Sequence, residues 1–268
     1  MSPSPVGAST REEPPWKDGN FSQGFAYRYE VDEDDVTARG VVELQEALTA
    51  PSGTRPRLSI LASIADAMMG ITVCFNVTPA IPSTVDLSIS LLEAPRSSEL
   101  RMETEVLKVG RSISTGELRF FDAHSGTLLG QGFMSFAATR NPDAFLPTLH
   151  RTTVNTGIIE ERFVDYVGLR VDEGGAPSIA LTGFVTNAAL SLQGGIVTLL
   201  GEVAVEQLSG ADVIDLDVRF LRAVSVGPAR AIASQIGAGI YRAEVRDHGN
   251  AERLCAVVVA RTASTSEV

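Results

Sequence analysis

Residues 190–204, LSLQGGIVTLLGEVA, set two adjacent glycines at the head of an apolar helical pattern and a single carboxylate, Glu202, two turns further on. Glycine costs a helix interior roughly 1 kcal/mol relative to alanine. Gly194 and Gly195 therefore mark a place where the backbone must come close to something. At the first turn of a helix an N–H group has no intrahelical partner and sits at the positive end of the helix dipole, so it can hold a developing negative oxygen. A carboxylate among apolar residues is the complementary tool, a base or a nucleophile. Gly194 and Glu202 cannot serve the same reacting atom, because eight residues of helix span about 12 Å and attack needs contacts of roughly 3 Å. A working site must take its amide from one helix and its acid from another.

A second carboxyl-bearing helical stretch is present. ASIADAMMG (62–70) carries Asp66 and is followed by STVDLSISLLEA (83–94); TLLGEVAVE (198–206) carries Glu202 and is followed by DVIDLDVRFLRA (212–223). The two halves read as repeats. Each continues with alternating apolar and polar runs punctuated by Gly110 or Gly237 and by short turns, the pattern of an antiparallel meander. The helix must bury its apolar stripe on the sheet, which predicts an α+β fold. Residues 1–22, rich in Pro, Ser and Glu, are expected to be disordered. The turn-forming run 138–157 predicts a linker, taken as 141–158, between a first domain at 23–140 and a second at 159–268.

Composition narrows the function classes. The chain has 268 residues, 44% hydrophobic and 21% charged, with a formal net charge of -11, ordinary for a globular protein. Nucleic acid is not an expected partner, since phosphate binding needs a basic face. No stretch reads as a membrane span and no signal peptide is evident, so the cytoplasm is the expected location. Lys17 and Lys108 are the only lysines, and nearly all positive charge is arginine. Cys74 and Cys255 lie in apolar runs and are expected to be buried thiols. No residue cluster has metal-ligand spacing, and no metal or cofactor is expected.

The order QGG…GE, then DLDVRFLRA, then a Gly-punctuated strand pair resembles the hotdog-fold acyl-CoA thioesterases, nearest the phenylacetate-pathway and 4-hydroxybenzoyl-CoA branch. The segment 83–137 resembles the sheet of the same family. The resemblance implies two hotdog folds in tandem, each a long central helix wrapped by an antiparallel sheet, together forming a pseudo-dimer. It also implies a family motif: an Asn or Gln, the first Gly of His-Gly-Gly seven residues later, and an Asp or Glu eight residues after that. Asn187, Gly194, Gly195 and Glu202 occupy these positions, with Gln193 in place of the His. In the first half Asp66 matches the carboxylate, whereas Leu58 and Ser59 replace the glycines and Pro51 the amide.

With the helices antiparallel, the resemblance implies one complete site, in which Asp66 is base or nucleophile, the Gly194 N–H the oxyanion donor, and Asn187 the group positioning water or carbonyl. A Cβ at Gly194 would obstruct the thioester carbonyl. The opposite pairing, Leu58–Ser59 with Glu202, lacks the glycines and the amide, and Glu202 is expected to be vestigial or structural. Arg111, Arg222 and Arg96 occupy positions where basic residues of the family meet coenzyme A phosphates, coenzyme A being part of the substrate rather than a cofactor. Met68, Met69, Ile196 and Leu199 are expected to line an acyl tunnel, and further pairing into a homodimer is expected. The expected function is acyl-CoA hydrolysis, with a catalytically silent acyl-CoA or lipid-binding double hotdog as the alternative. The hydratase branch is marked by D-x-N-P-x-H or His-Phe-Pro, and the chain has neither.

Overall fold

A computed structural model describes residues 19–139 and 149–263. The first half runs β1 (Ala26–Val31), β2 (Thr37–Glu43), α1 (Leu58–Val77), β3 (Ile81–Leu91), β4 (Glu99–Lys108), β5 (Ile113–Asp122) and β6 (Leu128–Thr139). After β7 (Thr152–Thr156) come the single-turn α2 (Phe163–Tyr166), β8 (Arg170–Val171), β9 (Pro177–Ile179) and α3 (Gly194–Ser209). The meander β10 (Val213–Phe220), β11 (Ala229–Gly237), β12 (Ile240–Asp247) and β13 (Arg253–Thr262) ends the described chain.

The strands join in one sheet of order β7-β1-β2-β4-β5-β6-β3-β10-β13-β12-β11-β9-β8. Outward from the β3–β10 junction, both sides place the strand after the long helix first, then the last, middle and first strands of the meander. The junction is an antiparallel ladder from Asp86↔Arg219 to Ser90↔Asp215, and the Ser90 hydroxyl donates to Asp215 Oδ2 at 2.7 Å. The alternation read from the sequence is realised strand by strand: in β5 every second residue from Ser114 onward is buried, as a sheet with one covered face requires.

The covering layer is α1 and α3, which pack against each other as well as on the sheet. Helix α1 is enclosed on nearly every side, and its buried residues follow no narrow stripe, the signature of a core helix. It is also, at 20 residues and a mean hydropathy of 1.9 in its most apolar window, long and apolar enough by composition to cross a membrane. That corrects the sequence reading that no stretch qualifies. The buried share of that window, 72%, shows what its apolarity serves in this fold.

Order begins earlier than residue 23. Asn20 caps a 3-10 turn, and Phe21 packs with Phe25 and Phe163 at ring separations of 5.3–6.2 Å. Residues 1–18 lie outside the described part. Within the expected linker, Thr152–Thr156 is an edge strand paired with β1; its threonines and valine favour extended backbone, a signal masked by the turn formers around it. Cys74 and Cys255 are buried free thiols.

Candidate active site

The start of α3 faces the middle of α1 across a cavity of about 320 Å³ lined by Asp66, Thr84, Asn187, Gly194, Phe220 and Arg222 among others. Gln193 is the N-cap of α3: its Oε1 accepts from the N–H groups of Gly195 at 2.6 Å and Ile196 at 3.3 Å. That satisfies two of the donors a helix start leaves open. Among the described residues no acceptor takes the Gly194 N–H. Asp66 is half-buried at the cavity wall. Its Oδ1 accepts from the Thr84 hydroxyl at 2.5 Å, and its Oδ2 accepts from Gln193 Nε2 at 3.4 Å. Burial pushes the Asp66 carboxyl up to about 6, against the lowering effect of the Thr84 hydrogen bond. At neutral pH the group is an ionised base with raised proton affinity.

The two glycines do different work. A Cβ on Gly195 would stand 1.8 Å from Ser63 Oγ, so this position lets α1 and α3 touch. A Cβ on Gly194 would stand 3.6 Å from the Phe220 ring and 3.9 Å from Asp66 Oδ2. It has room, and it would fill the gap between the free amide and the acid. The close approach inferred for the pair thus belongs to Gly195, and the open space to Gly194.

Thr84 is a site residue that the sequence reading missed. The β3–β6 register slips between Thr84 and Asp86, and such bulges re-aim side chains near sites. No local spacing announces it; the only trace is a threonine at the head of a strand that follows a carboxyl-bearing helix. Asn187 lines the cavity, but its Oδ1 is occupied by the N–H groups of Ala189 and Ser191 at 3.0 and 3.1 Å. It holds a loop in which Leu190 adopts a left-handed φ of 62°.

The remaining expectations separate. Arg222 lines the cavity and is exposed. Arg96 and Arg111 do not line it. The Arg96 backbone N–H, with that of Ser97, donates to Asp122 Oδ2, and Arg111 is exposed in the β4–β5 turn. Met68, Met69, Ile196 and Leu199 are completely buried in the core and line no part of this cavity. Its apolar walls come instead from Gly70, Ile81, Pro82, Phe136 and Val197.

At the start of α1 the arrangement is filled. Glu202 is fully buried and its carboxylate accepts from the N–H groups of Leu58 at 2.8 Å and Ser59 at 3.2 Å. It also takes the Ser59 hydroxyl. Arg57, buried beside it, is 4.0 Å from Glu202 and donates to both oxygens of Glu206 at 2.6 and 2.8 Å. Burial raises the proton affinity of Glu202, opposed by Arg57 and the hydrogen bonds from Ser59 and Leu58. A wider groove of about 1210 Å³ passes Arg57 and Glu206, but Glu202 is not on its wall.

Residues 5–133 match the family described as acyl-CoA thioesterase C-terminal domain. The fold is similar to an acyl-ACP thioesterase from Bacteroides thetaiotaomicron, at 13% identity and a TM-score of 0.58, over 87% of this chain and 100% of that one. It is also similar to the 12:0-ACP thioesterase from Umbellularia californica, at 9% identity and a TM-score of 0.59, over 84% of this chain and 96% of that one. The fold is thus the hotdog fold of these thioesterases. Among curated proteins no match is found.

Proposed function

We propose that the chain is two hotdog units in tandem, arranged as a pseudo-dimer, with one composite acyl-CoA thioesterase site. One observation carries this reading: the uncapped Gly194 N–H opens onto the same cavity as Asp66, an acid from the other long helix. In this reading the thioester oxygen accepts from Gly194 N–H, where the amide and the positive end of α3 stabilise the negative charge that forms during attack. Asp66, ionised, either takes a proton from the attacking water or attacks the carbonyl itself. Thr84 and Gln193 fix its two oxygens. Collapse of the tetrahedral intermediate expels the thiolate, which takes up a proton and leaves as free coenzyme A; on the water path the acid is released directly, and on the nucleophilic path water then hydrolyses the mixed anhydride on Asp66, releasing the acid and restoring the carboxylate. Arg222 at the rim is placed to meet a phosphate of the coenzyme.

The test is release of free thiol from a panel of acyl-CoA thioesters by wild type, Asp66→Asn and Asp66→Ala. Acyl carrier protein thioesters belong in the panel because the two structural neighbours are named for them. Loss of the carboxylate is expected to lower kcat by about 10²–10⁴-fold with the fold intact by circular dichroism. Binding of acyl-CoA without turnover by wild type would favour a silent binding protein, and equal turnover by wild type and Asp66→Asn would remove Asp66 from the chemistry.

A further inference from the structure

We infer that Gly70 determines which acyl groups the site accepts, by leaving open the space in which the acyl tail lies; this rests on the thioesterase reading above. Gly70 follows Asp66 by one helical turn, about 6 Å along α1 and on the same face. Both residues line the cavity.

A glycine inside a helix weakens it, so its presence calls for a reason. Packing does not supply one here. A Cβ built on Gly70 would meet only the Phe136 ring, at 3.9 Å, an ordinary contact. Gly201 in α3 is the opposite case: its Cβ would fall 2.5 Å from Val258 Cγ2, so packing requires that glycine. What Gly70 provides is empty volume.

That volume is bordered by the Phe136 ring. Ile81 and Pro82 line the same cavity, as do Arg222 and Asn187 by way of the loops near the start of α3. A thioester whose carbonyl rests between Gly194 and Asp66 can send its polar carrier toward Arg222 and its apolar acyl tail over Gly70. The corresponding position in α3 carries Glu206, with its carboxylate pinned by Arg57. The space kept free beside one acid is occupied beside the other. The ligand class is therefore an apolar acyl group long enough to pass Asp66 by a helical turn, and a larger side chain at position 70 shortens it.

The experiment measures kcat/KM of wild type, Gly70→Ala and Gly70→Val on acetyl-, hexanoyl- and decanoyl-CoA. The expected result is a ratio of hexanoyl to acetyl kcat/KM that falls in the order wild type, Ala, Val, by about tenfold or more in the valine variant. Gly70→Ala, whose Cβ fits, guards against a folding defect and is expected to melt at a higher temperature than wild type. A uniform loss on all three thioesters, with the ratio unchanged, would overturn the role of Gly70 while leaving the thioesterase reading standing. Absence of hydrolysis by wild type on every thioester would overturn that reading and this one with it.

Discussion

The starts of α1 and α3 present the same problem, a set of backbone donors without intrahelical partners, and the chain answers it in two ways. At α1 the acid of the opposite helix, Glu202, accepts the Leu58 and Ser59 N–H groups directly. At α3 a local side chain, Gln193, accepts the Gly195 and Ile196 N–H groups, and the opposite acid, Asp66, is held back by Thr84 and the Gln193 amide. The acid at α1 is one methylene longer and reaches the amides; the acid at α3 is shorter and leaves Gly194 open. The bulge that brings Thr84 to Asp66 has a counterpart in β10, where the register slips between Val213 and Asp215, but Val213 has no hydroxyl to offer. Two helix starts of like construction thus differ in whether the acid has been used as a cap or kept available.

The most severe way to break this comparison is Glu202→Ala. It strands two buried N–H groups and removes one of the two carboxylates beside Arg57, and a loss of about 3–5 kcal/mol is expected in urea unfolding, with little change in turnover per folded molecule. A loss of stability no greater than at an exposed residue would show that the cap at α1 does not matter. The glycine pair gives a smaller effect. Gly195→Ala drives a Cβ into Ser63 and is expected to cost about 1–3 kcal/mol, recovered in part by Ser63→Gly in the same chain. Gly194→Ala is expected to fold as well as wild type and to lose turnover.

The mildest test sharpens the role of Thr84. The acid limb of the kcat/KM profile is expected near pH 6, with activity rising as Asp66 loses its proton. Thr84→Val, which gives β3 the residue of β10, removes a hydrogen bond that favours the charged form, so the limb moves to higher pH. The same shift has a sign for stability. Asp66 holds its proton more tightly folded than unfolded, so its contribution is present below the unfolded value of 3.8 and is lost as pH rises through about 6. Asp66→Asn is accordingly expected to raise Tm at pH 7 while removing activity. An unshifted acid limb in Thr84→Val would mean that the hydroxyl does not tune the acid.

Much of this was legible before any coordinates. Strand alternation fixed the meanders, because one covered face imposes period two. The helix arithmetic required amide and acid to come from different helices. The bulge at Thr84 was not legible, since register depends on the partner strand. The tunnel residues were misread because α1 is enclosed on nearly every side, where an apolar residue belongs to the core or to a cavity with the same sequence signature. Met68 and Ile196 went to the core, and Gly70 to the cavity. Phe21 was hidden by proline- and serine-rich neighbours and β7 by a proline-containing run of turn formers, whose composition describes the surroundings rather than the anchoring residues.

The ladder between β3 and β10 has a kinetic corollary. A catalytic centre divided between two separate polypeptides assembles only as far as their association equilibrium allows, and dilution erodes it. In the proposed site the donor and the acid ride on one peptide and one unbroken set of interstrand bonds, so the rate per chain is expected to stay constant at concentrations where a pair of separate subunits would come apart.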